Sequence, residues 1–372
     1  MQRKYFLKYI KNSEALFSQE KKNNFKLPKY NPNTHYKEIS NSKYYKALLV
    51  FRNNIKLACD FYWSQIENAY NVDLFMLTSS VSSPIGLGSD SEVIKINFGN
   101  FETFLVDSSQ FGFEPILLNG INKVYCYLPS MRGENPDKRH LNQFYHCEVE
   151  IKGDIKKLLF MMENFVKFLS EVSLNMPNLI YFLSKNPKLS IKYLKNIINS
   201  KKFYQIEFDE AVKLLEENGF KNYINYTTSG RDINNKGELE LLKILKIKSP
   251  IWIKNFDRDR VAFYQKPHPN NLNKVINCDL LFPQIIKGSF CGEIIGSGQR
   301  QDNCKEMLES LNRQAINSGP YQWYIDIRKN KKYSITSGFG LGVERFITWL
   351  LCRDDIKDVI FYPRLKNIIT YP

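Results

Sequence analysis

Residues 337–345 read SGFGLGVER, and this stretch decides how the rest of the chain is interpreted. Glycines at 338, 340 and 342 allow another backbone or a ligand to approach closely. Their spacing differs from the G-x-G-x-x-G pattern of a dinucleotide-binding turn, and no βαβ unit follows. Glu344 and Arg345 then open a predicted helix. Considered alone, the segment is equally well explained as a tight turn before that helix.

A second polar segment, residues 130–150, reads SMRGENPDKRHLNQFYHCEVE and is predicted to be a loop between two strands. The loop holds Arg132, Glu134, Lys138, Arg139 and His140. Cations on one loop can grip a polyphosphate, and arginine does so with a bidentate fork. Phe144, where the chain returns, can stack on a base. The ordinary alternative is a solvated β-hairpin.

Two carboxylates lie in strand-like segments farther along the chain. Asp279 is in VINCDLLF, and Glu293 opens GEIIGSGQR, which ends at Arg300. Two carboxylates that face one pocket can hold Mg²⁺, because this hard cation prefers oxygen ligands and keeps bridging phosphates. Arg300 can hold an anionic or carbonyl group. Without the other segments, two unrelated strand-end carboxylates explain the pattern better.

The composition limits the possible classes of protein. The 372 residues include 53 Lys and Arg against 38 Asp and Glu, a net charge of +15, and 43% are hydrophobic, which excludes global disorder. No run approaches the roughly 18 apolar residues of a membrane span, and no secretory signal opens the chain, so we expect no membrane partner. The seven cysteines are never spaced C-x-x-C. This argues against a disulfide framework or zinc knuckle and predicts a reducing, cytoplasmic location.

The basic charge has two explanations. A strongly basic chain often binds nucleic acid, but Lys, Asn and Ile are abundant throughout, as AT-rich coding produces. The excess is largest near the N-terminus, where Pro28, Pro32 and many Asn and Lys residues show little periodicity. We expect residues 1–44 to form a loosely structured basic arm with one short helix near residues 5–17.

Hydrophobic periodicity predicts the fold class. Helices are predicted near residues 45–70, 154–172, 304–317 and 342–352, with another inside 203–219. Strands are predicted near residues 92–96, 103–106, 123–128, 144–151, 250–254, 261–265, 275–282, 292–296 and 333–338. The two kinds of element do not alternate regularly, which argues against a doubly wound parallel sheet. We therefore predict an α+β fold with a largely antiparallel sheet flanked by helices.

The order of these segments resembles that of class II aminoacyl-tRNA synthetases. In detail the chain resembles the catalytic domain of asparaginyl-tRNA synthetases, within the aspartyl, asparaginyl and lysyl group. MRGEN…RHLNQF…E.E looks like motif 2 and SGFGLGVERFITWLL…IKDVIFYPR like motif 3, while CDLLFP and GEIIGSGQRQDN resemble two segments between them. The resemblance covers residues 45–372 and implies one class II catalytic domain preceded by the basic arm of residues 1–44.

The resemblance also implies roles for individual residues. It assigns ATP binding to Arg132, Glu134, Arg139, His140, Phe144, Gly342 and Arg345. It assigns substrate binding to Gln110, Glu148 and Arg300, and Mg²⁺ binding to Asp279 and Glu293. Arg132, Arg345 and Glu293 are then the catalytic set, which stabilises charge while a carboxylate attacks the α-phosphate and pyrophosphate leaves. A homodimer built on the motif 1 segment, residues 45–78, is implied as well.

Several positions depart from the pattern of that family. Residues 1–44 are too few for its N-terminal anticodon-binding barrel. Ile85 stands where the mobile loop of the family has a Glu for the substrate amino group, and Gln143 replaces a Glu of motif 2. Phe113 stands where aspartyl relatives carry a Lys, as in the asparaginyl pattern.

These departures leave three hypotheses about function. The preferred one is an ATP-dependent ligase that activates Asp, Asn or a related acid as an acyl-adenylate and passes it to ammonia or another small amine. The second is a tRNA ligase in which the basic arm replaces the barrel. The third is a non-catalytic regulator, which the retained ATP residues argue against.

Overall fold

The computed structural model describes residues 2–84 and 91–371, and fifteen strands and twelve α-helices are assigned in these ranges. The strands are Tyr70–Asn71 (β1), Leu77–Thr78 (β2), Lys95–Phe98 (β3), Phe101–Leu105 (β4), Lys123–Met131 (β5), Gln143–Lys152 (β6), Tyr204–Glu207 (β7), Ile224–Thr227 (β8), Gly230–Ile233 (β9), Ile251–Lys254 (β10), Pro267–His268 (β11), Asn271–Val275 (β12), Asn277–Phe282 (β13), Gly292–Gln299 (β14) and Thr336–Gly342 (β15).

The α-helices are Gln2–Asn12 (α1), His35–Asn41 (α2), Lys43–Phe61 (α3), Phe113–Leu118 (α4), Ile155–Leu174 (α5), Pro177–Leu183 (α6), Pro187–Asn199 (α7), Phe208–Glu217 (α8), Asn235–Leu245 (α9), Cys304–Arg313 (α10), Gln322–Asp326 (α11) and Val343–Leu350 (α12). A π-helical turn, Tyr62–Ile66, extends α3. Short 3₁₀ turns cover Ser13–Phe17, Gln110–Gly112, Lys221–Tyr223, Arg258–Arg260, Gly319–Tyr321, Ile327–Lys329 and Ile356–Val359.

An eight-stranded sheet forms the centre of the fold, in the order β1-β5-β6-β15-β14-β13-β10-β7. The pairs along the middle of the sheet are antiparallel, and the outermost pairs, β1 with β5 and β7 with β10, are parallel. Smaller sheets are formed by β2, β3 and β4, by β8 and β9, and by β11 and β12. The predicted α+β class with a largely antiparallel sheet is confirmed.

Residues along the central strands alternate between the helical core and the opposite face of the sheet, as strand geometry requires. On β6, Cys147, Val149 and Ile151 are buried in the main hydrophobic core. On β15, Phe339 packs on Trp63 and Phe165, with ring centroids 5.6 and 6.1 Å apart. One face of the sheet is therefore covered by helices, and the intervening residues are left to build the other face.

The two long core helices begin within two residues of their predicted starts. Ser42 caps α3 by accepting a hydrogen bond from the backbone N–H of Tyr44 at 3.1 Å. Asp154 caps α5 in the same way, with Lys157 N at 2.9 Å. Serine and aspartate are preferred at this position because their oxygens satisfy the free N–H groups of the first turn. Among the described residues, no helix is long and apolar enough to cross a membrane.

Two predictions about local structure are wrong. Residues 2–44 are not loosely structured, because Ile10, Phe17 and Phe25 are buried in the main core; the domain boundary at residue 44 stays a prediction. The expected strand at residues 261–265 is also absent from the assigned strands. Its apolar side chains Phe263 and Tyr264 instead join a separate aromatic cluster with Phe111.

Candidate active site

The three polar sequence segments meet on the face of the sheet that the helices leave uncovered. Glu148 on β6 is opposite Gly340 on β15, Gly340 is opposite Gly296 on β14, and Gly296 is opposite Asp279 on β13. This row therefore places a carboxylate at each end and two glycines in the middle. Neighbouring strands lie about 4.8 Å apart, so the glycines leave an open floor between two acidic walls.

Two adjoining clefts stand on this floor. All seven residues assigned to ATP line the first cleft: Arg132, Glu134, Arg139, His140, Phe144, Gly342 and Arg345. All residues assigned to the substrate and the metal line the second cleft: Gln110, Glu148, Arg300, Asp279 and Glu293. The two clefts share Arg132, His146, Glu293 and Gly340. The two clefts therefore meet at these four residues, where a group bound in one cleft would lie next to a group bound in the other.

The first cleft combines three arginines with aromatic and acidic side chains. The Arg132 guanidinium lies 5.5 Å from the centroid of the Phe144 ring. The backbone around Arg132 is fixed by Asn142, whose amide donates to the carbonyl oxygens of Arg132 and Glu134 at 2.7 Å each. Asn142 was missed at the sequence level because Asn in a loop is so often only a turn residue.

Arg345 lies in the first turn of α12, the helix that borders the first cleft. Its Nη1 donates to Glu293 Oε2 at 2.9 Å. The preceding residue, Glu344, accepts from Tyr145 N at 2.8 Å and from Arg52 Nη2 at 2.6 Å, which ties α12 to β6 and to α3. These contacts place the Arg345 side chain in the lining of the first cleft.

The two carboxylates assigned to Mg²⁺ share one face because of a β-bulge. Leu280 pairs with Ile295 but Leu281 pairs with Glu293, so Ile294 is the extra residue. Gly296 is on the uncovered face of the sheet. With strict alternation, Glu293, three residues earlier, would face the helices. The extra residue at the bulge turns the Glu293 side chain to the uncovered face instead. A methyl group added at Gly296 would lie 3.1 Å from Glu293 Oε1 and 3.6 Å from Asp279 Oδ1.

The charges of this pair fit a divalent cation. Burial, and then the carboxylates of Glu293 and Glu238, raise the pKa of Asp279 well above its ordinary value. Burial opposes ionisation of Glu293 too, but Arg345 holds the pKa of Glu293 below its ordinary value. No group of three or more potential ligand side chains is found in residues 2–84 and 91–371. Two oxygen ligands suit Mg²⁺, which usually keeps waters and substrate phosphates as its other ligands.

Arg139 is held by a residue that the sequence analysis missed. Its guanidinium donates to the Cys291 carbonyl and to Glu238 Oε2, the latter at 3.4 Å, and lies 4.6 Å from the Phe290 ring centroid. Burial lowers the pKa of Arg139 and raises that of Glu238 to about 7. Glu238 is on α9, a helix that was not predicted, so no local signal linked it to this cleft. The neighbouring His140 pairs with Asp137 Oδ1 at 2.9 Å.

The second cleft is built around a buried arginine. Arg300 donates to both oxygens of Glu150 at 2.8–3.1 Å and to the amide oxygen of Gln110, and its guanidinium lies 5.3 Å from the Tyr264 ring centroid. Burial raises the pKa of Glu150 above its ordinary value, although the Arg300 guanidinium beside it opposes this shift and favours the carboxylate. Glu150 was missed as a functional residue, even though it is on the same face of β6 as Glu148.

Glu148 faces the same cleft from its opposite wall. It accepts hydrogen bonds from Ser109 N at 2.7 Å and from the Ser108 hydroxyl. Burial raises its pKa above the ordinary value. Phe113, the residue that stands where aspartyl relatives carry a Lys, is buried in a small hydrophobic cluster. Ile85, where the sequence predicts the loss of a carboxylate, lies outside the described residues.

His146 was also missed, although alternation along β6 places it on the site face together with Glu148. It lines both clefts. Its Nδ1 is 2.8 Å from Ser130 Oγ, and its ring meets that of Phe144 edge-on at 4.8 Å. Burial, and then the nearby cations Arg132 and Arg345, lower the pKa of His146 to about 3. The imidazole is therefore neutral at physiological pH.

Comparison with known proteins gives a consistent picture. The model of the family described as tRNA synthetases class II (D, K and N) matches residues 29–366. Asparagine–tRNA ligase of Mycoplasma genitalium is 31% identical over 78% of this chain and 65% of its own length. The same ligase of aster yellows witches'-broom phytoplasma is 32% identical over 74% of this chain and 54% of its own length. The chain spans between about half and two thirds of the length of these curated relatives.

A solved structure shows the same fold. Asparaginyl-tRNA synthetase of Pyrococcus horikoshii, complexed with asparaginyl-adenylate, superposes with a TM-score of 0.79 at 25% identity, covering 92% of this chain and 74% of that protein. These relatives overturn one prediction. The transfer of the activated acid to ammonia or another small amine in place of tRNA is wrong, because the relatives are tRNA ligases.

Proposed function

This chain belongs to the class II tRNA synthetases of the D, K and N group, and from that premise we propose that it activates asparagine with ATP and attaches it to tRNA. The observation that carries the proposal is the pair of clefts that share Arg132, His146 and Glu293. A nucleotide in the first and an amino acid in the second would meet where an acyl-adenylate must form. The catalytic role of Arg132, Arg345 and Glu293 is part of this proposal.

In the first step an oxygen of the asparagine α-carboxylate attacks the α-phosphorus of ATP, and the bond to the leaving pyrophosphate breaks. Arg132, between the clefts, would neutralise the charge that develops on the α-phosphate oxygens, while Arg345 would neutralise the leaving group. Asp279 and Glu293 would hold Mg²⁺, which supplies further positive charge to the phosphates when it is bound. Positioning of the two reactants would provide the rest of the rate enhancement.

The amino-acid cleft suits an amide side chain better than a carboxylate. Arg300 can donate to the side-chain carbonyl of asparagine, but Glu150 already neutralises its charge at 2.8 Å. A second carboxylate, from aspartate, would gain little from a guanidinium that is already paired. It would also add negative charge near Glu148 in a poorly hydrated cleft.

The second step would transfer the asparaginyl group from the adenylate to a terminal ribose hydroxyl of tRNA, with release of AMP. The names of the curated relatives support tRNA as the acceptor. The homodimer, expected from the motif 1 segment, stays a prediction. A cytoplasmic location is supported by the seven cysteines, all of which are free.

Amino-acid-dependent exchange of pyrophosphate into ATP tests the first step. We expect exchange with asparagine and at least about 10²-fold less with aspartate, because a site built for hydrogen bonding rejects mismatched polar groups. Arg132→Gln should lower the exchange about 10²–10³-fold, as loss of one charge-stabilising donor typically does. Exchange that depends on aspartate instead, or on neither acid, would refute the proposal.

A single variant sharpens the argument about selectivity. Glu150→Gln would leave the Arg300 guanidinium without its neutralising carboxylate and still fill the space of Glu150. We expect the ratio of aspartate- to asparagine-dependent exchange to rise by about tenfold or more, the effect of roughly 1.4 kcal/mol of added attraction. An unchanged ratio would show that charge pairing behind the cleft does not set the choice of amino acid.

A further inference from the structure

Helix α7 presents a row of lysines that the proposed chemistry does not use. Residues 187–202 contain five lysines and no Asp or Glu. Lys188, Lys192 and Lys195 are spaced i, i+4 and i+7 and are all exposed. Ser190, Leu194 and Ile197 have the same spacing and are buried. The two rows are two residues apart, about 200° around the helix at 100° per residue, so the lysines form a face opposite the core.

The charges of this lysine face, defined as Lys188, Lys192 and Lys195, are not compensated within the chain. Among the described residues, no carboxylate lies within ion-pair distance of any of the three. Lys201 and Lys202, which follow the helix, are also exposed. By contrast, Lys185, just before the helix, pairs with Asp354. An uncompensated row of this kind attracts a polyanion.

The lysine face starts beside the mouth of the ATP cleft. Asp354 pairs with Lys185 and also with Lys138 of the motif 2 loop, the latter at 3.3 Å. The backbone of Lys185 donates to the Leu351 carbonyl at 3.0 Å, just after α12. Ile356, whose N–H donates to the Lys138 carbonyl at 3.0 Å, lines the ATP cleft itself. The beginning of α7 is therefore linked to the rim of the ATP cleft through Asp354 and the motif 2 loop.

The helix has the dimensions of a short stretch of RNA backbone. From Lys188 to Lys195 it rises about 10 Å, at 1.5 Å per residue. This equals the length of about three nucleotides at a rise of about 3.4 Å per strand. A membrane surface suits the face less well, because an interfacial helix inserts its apolar side, and the apolar side of α7 is buried against the protein.

We propose that the lysine face of α7 binds the phosphate backbone of the tRNA acceptor region and thereby guides the 3′ end to the adenylate. This inference rests on the proposed function, since it takes tRNA as the acceptor. The contacts are with phosphates, so they add affinity without reading sequence.

Helix α1 offers a matched control. Lys4, Lys8 and Lys11 have the same i, i+4, i+7 spacing and are equally exposed. This helix packs on α3 through Phe6, whose ring stacks on Phe61 at 4.2 Å. Its lysines therefore reproduce the charge, spacing and exposure of the lysine face on a different helix.

The test measures tRNA binding over a series of salt concentrations for the wild type, Lys188→Gln/Lys192→Gln/Lys195→Gln and Lys4→Gln/Lys8→Gln/Lys11→Gln. Loss of three phosphate contacts should reduce the slope of log K against log salt by about 2–3. We expect this reduction in the α7 variant only, with asparagine-dependent pyrophosphate exchange unchanged. That activity also shows that the variant is folded.

Other outcomes separate the inference from the proposed function. An unchanged slope in the α7 variant, or an equal reduction in the α1 variant, would overturn the inference while charging of tRNA by the wild type still stands. An equal response to an acidic protein in place of tRNA would overturn it as well. A reduced slope in a protein that charges no tRNA would uphold the RNA-binding face and refute the proposed function.

Discussion

The two clefts of the active site contain similar ion pairs but hold them in different surroundings. In the ATP cleft, the side chains of Arg345 and Glu293 are 20% and 34% exposed. In the amino-acid cleft, those of Arg300 and Glu150 are 4% and 0% exposed. The first pair lies where solvent or phosphate can replace either partner, whereas the second is part of the protein interior.

This difference indicates how the site divides its tasks. Phosphates entering the first cleft have to compete with Glu293 for Arg345, so a loosely held pair is an advantage there. Under the proposed function, the second cleft distinguishes a small amide from a carboxylate, which requires donors that are fixed before the substrate arrives. Substitutions in the two clefts should therefore affect the free energy of unfolding very differently.

The largest effect is expected for Arg300→Met. Removing the guanidinium leaves the fully buried Glu150 without its counter-ion, which should lower the free energy of unfolding by about 3–5 kcal/mol. Denaturant unfolding measures this loss. The double variant Arg300→Met/Glu150→Leu should recover most of the stability without recovering pyrophosphate exchange. A loss below about 1 kcal/mol, the value typical of an exposed ion pair, would show that the Arg300–Glu150 pair contributes little to the free energy of unfolding.

A smaller effect is expected for Gly338→Ala. The added methyl group would overlap Glu150 Oε2 and lie 2.6 Å from the Val149 carbonyl oxygen. Overpacking of this kind costs about 1–3 kcal/mol. Gly340→Ala is the matched control on the same strand, because its methyl group would lie 3.6 Å or more from its neighbours. Equal losses of stability in the two variants would contradict the tight packing around Glu150.

The pH dependence of stability tests whether His146, which lines both clefts, is buried and neutral. The pKa of His146 is lowered to about 3, against about 6.5 in the unfolded chain. The unfolded state therefore binds more protons between pH 3 and 6.5, and stability should fall as the pH falls through this window. The contribution is up to about 1.4 kcal/mol per pH unit. Unfolding measured from pH 4.5 to 7 should show a shallower loss for His146→Gln than for the wild type or for the control His268→Gln, a half-buried histidine outside both clefts. Parallel curves would argue against a buried, neutral imidazole.

The smallest effect on stability is expected for Arg345→Gln. Its partner Glu293 is partly exposed, and pairs of this kind contribute about 0–1 kcal/mol. The same change should reduce pyrophosphate exchange about 10²–10³-fold, because it removes charge stabilisation from the reacting phosphates. Unfolding and exchange measured on one preparation test both statements. A destabilisation as large as that of Arg300→Met would remove the contrast between the clefts.

Part of the site could be predicted from the sequence because it depends on motifs whose order is fixed along the chain. The residues assigned to ATP, substrate and metal do line two adjoining clefts. Glu150 could not be paired with Arg300, since 150 residues separate them and only the strand register brings them together. The position of Glu293 depends on a bulge at Ile294, which alternation alone does not predict.

The errors in the fold have similar causes. The apolar run at residues 261–265 looks like a strand, but Phe263 and Tyr264 are drawn into an aromatic cluster, with Tyr264 5.0 Å from Phe111 between ring centroids. Helix α9 opens with Asn and Gly, which have weak helix preference, and this hid a helix whose remaining Glu, Leu and Lys residues are good helix formers. Between residues 18 and 43 the buried positions are Phe25 and His35, which are too widely spaced to give a periodic pattern.

The most direct test of the central claim is ATP-dependent attachment of radiolabelled asparagine to tRNA, measured beside aspartate and with ammonia offered as a competing acceptor. The account predicts that label from asparagine becomes acid-precipitable only when ATP and tRNA are both present, and that Arg132→Gln lowers the rate about 10²–10³-fold. Formation of the adenylate with transfer to ammonia but none to tRNA, or charging with aspartate in preference to asparagine, would contradict the account.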